Sequence, residues 1–233
     1  MGVISGIPSV KNPGAVLVIP ATSAVWTAAT VASVGPPTFL NTQDFGWRQT
    51  IVSSGAQSGM IRQYAGLSGS ANWLPGTLPV INWSVGFRLA FTLQIDIGGT
   101  EAKWTLHIGG LSAATGAHAL AAKGLGICIT GTAADNAGIQ VRAHDGTTEG
   151  LSSSVALGAG VFDGTSNLWE LVWIPGSGAY LYRNGVAVTA VTTNLPAGSG
   201  GSSANGWEML FEHTTNTNAT SILVLHNLIV SPL

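Results

Sequence analysis

Charged side chains are scarce in this sequence. Asp, Glu, Lys and Arg together supply 8% of its 233 residues, whereas about a quarter is usual in soluble proteins. Because a charged surface normally keeps proteins soluble and apart, the scarcity predicts that much of the outer surface contacts other chains. The alternative is a surface made polar by Ser, Thr, Asn and Gly.

Features that the sequence lacks argue against several classes of partner. The net charge is -2 and there is no basic run, which argues against nucleic acid. The longest apolar stretches, residues 15–20 and 221–230, are well short of the roughly 18 residues that a membrane-spanning helix needs. Residues 1–14 lack the charged start and continuous apolar centre of a secretion signal. We therefore expect a protein made in the host cytoplasm, without a nucleic-acid or membrane partner, and kept there or released by lysis.

Cysteine is nearly absent as well. Cys128 is the only one, so an intrachain disulfide is impossible. It alternates with Ile127 and Ile129, so we expect it to pack as a small hydrophobic residue. The sequence does have apolar residues, at 45%, and 32 glycines without a collagen-like period. This composition supports one substantial core and argues against disorder.

Alternation of apolar and polar side chains is the dominant pattern. It is clearest over residues 87–97, where the apolar positions are Phe87, Leu89, Phe91, Leu93, Ile95 and Ile97. Residues 103–108 repeat it, with a dry face of Trp104, Leu106 and Ile108 and a wetter face of Lys103, Thr105 and His107. Further strands are predicted at residues 126–130, 138–143, 168–174, 179–183, 186–191, 207–212 and 221–230. Strands of this kind predict an all-β fold, a sandwich of two antiparallel sheets.

Helical patterning is almost absent. Residues 112–124 are rich in Ala, but Gly116 interrupts them and no apolar stripe develops, so we interpret them as a loop with at most one helical turn. Residues 195–206 are a loop rather than a linker, because strand patterning resumes after them. The chain is predicted to have an N-terminal arm or edge segment, residues 1–20, and a single β-sandwich domain, residues 21–233.

Asn184 and Gly185 separate two short alternating runs. A two-residue Asn-Gly loop favours a type I′ turn, in which both residues take a positive φ. The predicted cross-strand pairs are then Arg183 with Val186, Tyr182 with Ala187, Leu181 with Val188 and Tyr180 with Thr189. Directly opposed residues share a face, so Leu181 and Val188 would lie on one side and the two tyrosines on the other. With residues 168–174 and the turn at 175–178, the prediction is a three-stranded meander.

Residues 167–188, and the Tyr182-Arg183-Asn184-Gly185 element in particular, resemble the signature meander of the concanavalin A-like, or laminin G-like, jelly-roll superfamily. Residues 223–232 look like the terminal strand of that superfamily, which returns to pair near the N-terminal one. The resemblance is best over residues 167–230 and implies a concanavalin A-like jelly roll. It implies little about function, because the superfamily hosts lectins, glycosidases, lyases and structural modules.

No catalytic constellation is evident. The Glu-x-Asp-x-x-Glu pattern of glycosidases of this fold is absent, and the nearest carboxylates, Glu208 and Glu212, would share the solvated face of one strand. A glycosidase needs two carboxylates that flank the bond it cleaves. The five histidines show no metal-ligand spacing. We therefore predict no catalytic residues, and a protein that is not an enzyme.

No cofactor or metal site is predicted. Jelly-roll lectins often bind calcium through Asp and Asn oxygens on loops, and oxygens of that kind are supplied by Asp135, Asn136, Asp163 and Asn167. These residues lack the dense carboxylate grouping that tight binding needs, and Asp163 with Gly164 is more simply a turn. Calcium is kept as an alternative.

Tryptophan is enriched, with eight residues. Apolar strand positions, which predict burial in the core, are occupied by Trp104, Trp169, Trp173 and Trp207. Four other aromatic residues are predicted to be exposed and to contact a protein or a glycan, and these are Trp73, Trp83, Tyr180 and Tyr182.

Sparse charge, no visible chemistry and a jelly-roll-like fold without a secretion signal together favour a structural protein of a viral particle. A capsid decoration or other outer protein of a bacteriophage virion is the main expectation, with other virion chains as partners in homo-oligomeric or lattice contacts. The alternative is a carbohydrate-binding, lectin-like module for adsorption to a surface, with glycans as partners. A polysaccharide-cleaving enzyme is the third hypothesis and would need a carboxylate pair in a groove.

Overall fold

The structure, a computed structural model, describes residues 16–17, 27–31, 38–39, 46–52, 57–64, 83–97, 101–109, 119–120, 122–132, 138–156, 163–198, 206–213 and 220–233. In these segments the regular elements are all β-strands. No helix in them is long and apolar enough to cross a membrane. Alternating apolar and polar residues thus adopt extended backbone, as the sequence predicts.

The strands in this part of the chain are, in order, β1 (Val16–Leu17), β2 (Thr27–Val31), β3 (Thr38–Phe39), β4 (Gly46–Val52), β5 (Gln57–Tyr64), β6 (Phe87–Ile97), β7 (Glu101–Gly109), β8 (Gly124–Thr132), β9 (Gly138–His144), β10 (Glu149–Leu151), β11 (Val155–Ala156), β12 (Asp163–Ile174), β13 (Gly178–Arg183), β14 (Val186–Val191), β15 (Gly206–His213) and β16 (Thr220–Pro232).

The described strands form two sheets, and their pairings are antiparallel. Sheet A has the order β14-β13-β12-β6-β16-β4-β3, with β1 also paired to β16. Sheet B has the order β10-β9-β8-β7-β15-β5-β2, with β11 also paired to β9. The predicted all-β fold of two antiparallel sheets is confirmed.

The core lies between the two sheets. Every second side chain of β6, from Leu89 to Ile95, is at most 2% exposed, whereas Asp96 on the opposite face is exposed. Phe91 of sheet A meets Trp104 of sheet B, with ring centroids 5.7 Å apart. Each large apolar side chain buried in this way stabilises the fold by about 1.5–3 kcal/mol. The predicted core positions of Trp104, Trp169 and Trp173 are confirmed, and the side chain of Trp207 lies outside the described part.

The predicted meander of β12, β13 and β14 forms one side of sheet A. Asn184 and Gly185 have φ values of 50° and 80°, so both residues take the positive φ of a type I′ turn. The turn between β12 and β13 places Pro175 before Gly176, whose φ is 70°, a sequence favoured in type II turns. The backbone N–H of Ser177 closes this turn by donating to the carbonyl of Ile174 at 3.0 Å.

The register of the β13–β14 hairpin agrees with the prediction near the turn and departs from it farther along. The observed pairs are Arg183–Val186, Tyr182–Ala187, Leu181–Thr189, Tyr180–Ala190 and Ala179–Val191. The predicted pairing of Leu181 with Val188 and of Tyr180 with Thr189 is therefore wrong. A β-bulge leaves Val188 as an extra residue on β14, and its half-buried side chain packs against the core. Insertion of one residue shifts every later pair by one.

Strand β16 runs between β6 and β4 through the middle of sheet A. Val16 and Leu17 pair with its residues Val230 and Ile229, so the predicted return of the terminal strand to the N-terminal part of the chain is confirmed. Val16 and Leu17 are the described part of the predicted arm or edge segment. The boundary at residue 20 stays a prediction.

Strand β7 departs from the predicted contrast between a dry and a wetter face. Thr105 and His107 are each 1% exposed, so the prediction of a wetter face is wrong at these positions. Cys128 lies opposite Thr105 on β8 and is also buried, as expected of a small hydrophobic residue. Alternation gives the direction of a side chain but does not show what covers it. The outer face of sheet B is therefore covered at β7 and β8.

Candidate binding face

The described side chains on the outer face of sheet A are more exposed than those on the outer face of β7 and β8 in sheet B. From β14 to β6 its described side chains are half-buried or exposed. On β7 and β8 of sheet B, by contrast, the outward Thr105, His107 and Cys128 are buried. Among the described residues, sheet A therefore offers the broader surface for a ligand that spans several strands.

Two tyrosines lie side by side on this open face. Tyr180 and Tyr182 are two residues apart on β13 and point away from the fully buried Leu181 between them, as the alternation of a strand requires. Two residues along a strand span about 6.6–6.8 Å, so the tyrosines give two neighbouring contact points. The predicted direction of both side chains is confirmed. We name as the tyrosine platform Tyr180 and Tyr182 with their cross-strand neighbours Val172, Glu170, Ala187 and Ala190.

Small residues flank the platform on the side of β14. Ala190 pairs with Tyr180 and Ala187 pairs with Tyr182. Because β14 is the outermost strand of sheet A, methyl groups are the side chains that separate the two tyrosines from the edge of the sheet. The platform is open on this side.

An ion pair flanks the platform on the other side. Glu170 of β12 lies opposite Tyr182 and pairs with Arg88 of β6. The side chain of Glu170 is 12% exposed and that of Arg88 is 37% exposed, so the carboxylate is largely buried and the guanidinium is the partner that meets solvent. It brings donors and acceptors to the face without adding net charge.

A hydrogen bond restrains one of the two tyrosines. The Tyr180 hydroxyl and the Ser177 hydroxyl are hydrogen-bonded, with their oxygens 2.8 Å apart. Ser177 belongs to the turn that joins β12 to β13. A restrained side chain loses less rotamer entropy when a ligand contacts it, so Tyr180 is partly organised for binding.

Trp83, a predicted contact residue, is 1% exposed, and the prediction of its exposure is wrong. Its ring is perpendicular to that of Trp173, with centroids 6.1 Å apart, and lies 6.3 Å from that of Phe87. Its carbonyl accepts a hydrogen bond from Nε1 of Trp173 at 3.1 Å. Trp173 is 90 residues away in sequence, so the composition of the segment around Trp83 could not reveal this contact. Trp73 lies outside the described residues.

The two glutamates considered for catalysis lie on β15, opposite basic residues. By backbone register, Glu208 has Arg62 on one side and His107 on the other. Glu212 has Lys103 opposite it on β7. Charges of opposite sign on neighbouring strands are typical of cross-strand pairing. The side chains of Glu208 and Glu212 lie outside the described part, so the absence of a catalytic role for them stays a prediction.

A polar network at the edge of sheet B was not predicted. Glu149 of β10 accepts hydrogen bonds from Nη1 of Arg142 at 3.2 Å and from the backbone N–H of Leu120 at 2.9 Å. Its carbonyl accepts from Nδ2 of Asn194 at 3.2 Å. The network connects β9 and β10 with two loop segments. The available signal was the charge of Glu149, opposite to that of Arg142 seven residues earlier in a predicted strand, and we interpret the network as structural.

Asp145 caps the turn between β9 and β10. Its Oδ1 accepts hydrogen bonds from the backbone N–H groups of Thr148 at 2.8 Å and Thr147 at 2.6 Å. These bonds, the one from Thr148 first, hold the pKa of Asp145 below its ordinary value of 3.8, because they favour the charged carboxylate. The arrangement is an Asx turn and accounts for Asp145 without a ligand.

Asn167, considered as a calcium ligand, has partners within the protein. It is 3% exposed, and its Oδ1 accepts a hydrogen bond from Nδ2 of Asn184 at 3.0 Å. Asp163 is described by its backbone alone, and Asp135 and Asn136 lie outside the described residues. Within the described ranges, no group of three or more His, Cys, Asp or Glu residues is placed to hold a metal ion.

No protein-family model and no curated protein matches this sequence, but solved structures match its fold. The carbohydrate recognition domain of Emp47p has a TM-score of 0.58 at 9% identity, over 89% of this chain and 88% of that chain. The carbohydrate recognition domain of Emp46p, in a potassium-bound form, has a TM-score of 0.53 at 9% identity, over 88% of this chain and 89% of that chain.

A third similar structure comes from botulinum neurotoxin type C, whose entry into cells is dependent upon interaction with two ganglioside molecules. Its TM-score is 0.53 at 9% identity, over 94% of this chain and 47% of that chain. The chain thus spans about half the length of the neurotoxin chains that it matches. At these identities the similarity shows the fold alone, and the fold is the concanavalin A-like β-sandwich predicted from the sequence.

Proposed function

We propose that this protein is a non-catalytic, lectin-like module that binds glycans through the tyrosine platform. One observation carries the proposal. Tyr180 and Tyr182 lie next to each other on the open face of sheet A, with methyl groups on one flank and an ion pair of zero net charge on the other.

The chemistry of the platform suits a sugar. A pyranose ring has apolar C–H faces, which pack against aromatic rings, and hydroxyl groups, which need hydrogen-bond partners. The tyrosine rings supply the apolar contact. Arg88, whose side chain is 37% exposed, supplies donors within the same face, and Glu170 offers Oε2 alone as an acceptor because its Oε1 is buried. The low charge of the chain, which predicts contacts with other proteins, equally suits a surface that meets uncharged ligands.

The similar structures support recognition rather than catalysis on this fold. Emp47p and Emp46p are represented by carbohydrate recognition domains, and the neurotoxin interacts with gangliosides. At 9% identity no binding residue carries over from them. The platform is therefore argued from the residues of this chain.

A structural role in a bacteriophage particle, and the location in a virion that goes with it, stay predictions. None of the similar structures named above is a virion protein. Half-buried tyrosines on an outer face also suit a protein partner, so the platform would serve a protein contact if it binds no sugar.

A glycan array tests the proposal, with and without calcium. The wild-type protein is expected to bind a subset of glycans, and the double variant Tyr180→Ala/Tyr182→Ala to lose about tenfold or more in affinity. Thr92→Ala, on the same face but on β6, serves as the matched control and should bind as the wild type does. Thermal unfolding establishes that all three proteins are folded. The proposal fails if the wild type binds no glycan, or if the double variant binds as well as the wild type.

A further inference from the structure

We infer that the tyrosine platform holds internal segments of a neutral polysaccharide, rather than chain ends or anionic sugars. The inference rests on the proposed function and specifies its ligand. It depends on two observations: within the described residues, the tyrosines have Ala187 and Ala190 opposite them on the edge strand, and the charges of Arg88 and Glu170 cancel.

The open flank of the platform bears on which part of a glycan chain the platform can hold. A site for the end of a chain is concave and encloses the terminal unit. On the platform, Ala187 and Ala190 leave the flank toward the sheet edge open. A glycan that runs along β13 meets Tyr180 and Tyr182 in turn. It then leaves the platform over the exposed turn residues Ser177 at one end and Asn184 at the other. Nothing described at either end would stop a chain from continuing.

The pairing of Arg88 with Glu170 bears on whether the platform favours neutral or anionic sugars. An anionic sugar is held by a cation that is free to receive it. On the described face from β14 to β6 the cation is Arg88, and it is already paired with Glu170. A carboxylated or sulfated sugar would have to compete with Glu170 for this guanidinium. Separation of the pair would leave the largely buried carboxylate of Glu170 without compensation, which is unfavourable. Hydroxyl groups can bind both partners while the pair stays intact.

Chain length is tested with defined probes. Affinity electrophoresis measures binding of the full chain to three neutral soluble polysaccharides: a mixed-linkage β-glucan, a galactomannan and a dextran. Isothermal titration then compares hexasaccharides of the bound polymer with its monosaccharides. The hexasaccharide is expected to bind about tenfold or more tightly than the monosaccharide, and borohydride reduction of its end to change nothing. Equal affinity for the two, or loss of binding on reduction of the end, would overturn the inference about internal segments.

Two matched variants test the open flank. Ala187→Arg places a long side chain beside Tyr182, where its guanidinium can cover the ring. It is expected to weaken binding of the polymer by about tenfold. Ser166→Arg adds the same charge at an exposed position of β12 on the same face and should leave affinity within about twofold of the wild type. Equal effects of the two variants would show that the flank beside Tyr182 is not used.

The argument from charge is tested with a variant that should gain affinity for an anionic polymer. The neutral polymer and a form carboxylated by oxidation are compared, and the wild type is expected to bind the carboxylated form about tenfold more weakly. Glu170→Gln keeps the shape of the side chain and releases Arg88, so the preference should shift toward the carboxylated polymer by about tenfold. An unchanged preference would overturn the charge argument. These outcomes leave the proposed function standing, whereas an absence of binding to every glycan overturns the proposed function and the inference together.

Discussion

Asn184, at the tip of the β13–β14 hairpin, donates a hydrogen bond from Nδ2 to Oδ1 of Asn167 on β12, over 3.0 Å. Its own Oδ1 accepts the backbone N–H of Leu168 at 2.9 Å. The residue whose positive φ forms the turn therefore also attaches the hairpin tip to the next strand. This attachment anchors one end of β13, the strand that carries both tyrosines of the platform.

Replacement of Asn184 by glycine tests this attachment. Glycine keeps the positive φ at no steric cost but removes both side-chain hydrogen bonds and leaves the buried Oδ1 of Asn167 without its donor. The free energy of unfolding, from urea denaturation, is expected to fall by about 2 kcal/mol. Asn194→Gly is the control, since Asn194 has a φ of 52° and one side-chain bond, to the Glu149 carbonyl. It should lose about 1 kcal/mol. Equal losses would mean that the bond to Asn167 contributes nothing.

Between β10 and β11, the Ser152 hydroxyl is the hydrogen-bond acceptor that a carbonyl of a neighbouring strand would otherwise provide for a backbone N–H. This hydroxyl accepts the buried backbone N–H of Val141 at 2.9 Å and donates to the carbonyl of Ser153 at 3.1 Å. Ser152→Ala leaves that N–H unpaired, so the free energy of unfolding should fall by about 1–3 kcal/mol. Ser153→Ala, at the exposed neighbouring position, should stay within about 0.5 kcal/mol of the wild type. Amide hydrogen exchange at Val141 should quicken in the first variant, and unchanged exchange there would contradict this account.

Two buried indoles differ in how their N–H groups are paired. Trp173 donates from Nε1 to the carbonyl of Trp83, whereas Nε1 of Trp104 has no partner among the described residues. Replacement by phenylalanine removes similar volume from both sites but breaks a hydrogen bond at one. Trp173→Phe is therefore expected to lower the free energy of unfolding by about 1 kcal/mol more than Trp104→Phe does. Denaturation in urea measures both. A greater loss for Trp104→Phe would contradict the assignment.

Asp145 gives the fold a dependence on acid pH. Because the pKa of its carboxyl in the folded protein lies below the ordinary 3.8, the carboxylate stabilises the fold at higher pH. That contribution is lost as the pH falls through the folded pKa. Asp145→Ser keeps an oxygen at the cap and removes the titration. The stability of the wild type relative to this variant should therefore decrease below about pH 4. A carboxyl NMR titration of Asp145 with a midpoint at or above 3.8 would exclude the proposed cause.

Local patterns predicted the parts of this molecule that depend on neighbours in sequence. Alternation predicted the inward face of β6, and the Asn-Gly pair predicted the turn at Asn184 and the direction of the two tyrosines. The bulge at Val188 has no such signal, since it depends on how β14 fits the core across the sandwich. The burial of Trp83 likewise depends on Trp173, which is 90 residues along the chain. The open flank of the platform could not be predicted either, because it follows from the position of β14 at the sheet edge.

Sheet A cannot be completed until residues 220–232 have been synthesised. Leu225 of β16 pairs with Leu93 of β6 on one side and with Trp47 of β4 on the other. Each of these earlier strands therefore lacks one neighbouring strand until β16 has been synthesised. While the chain is still on the ribosome, β6 and β4 therefore each have one unpaired edge. Pairing between such distant residues is slow, and open strand edges invite aggregation. Completion of sheet A is consequently a late step in the folding of this chain.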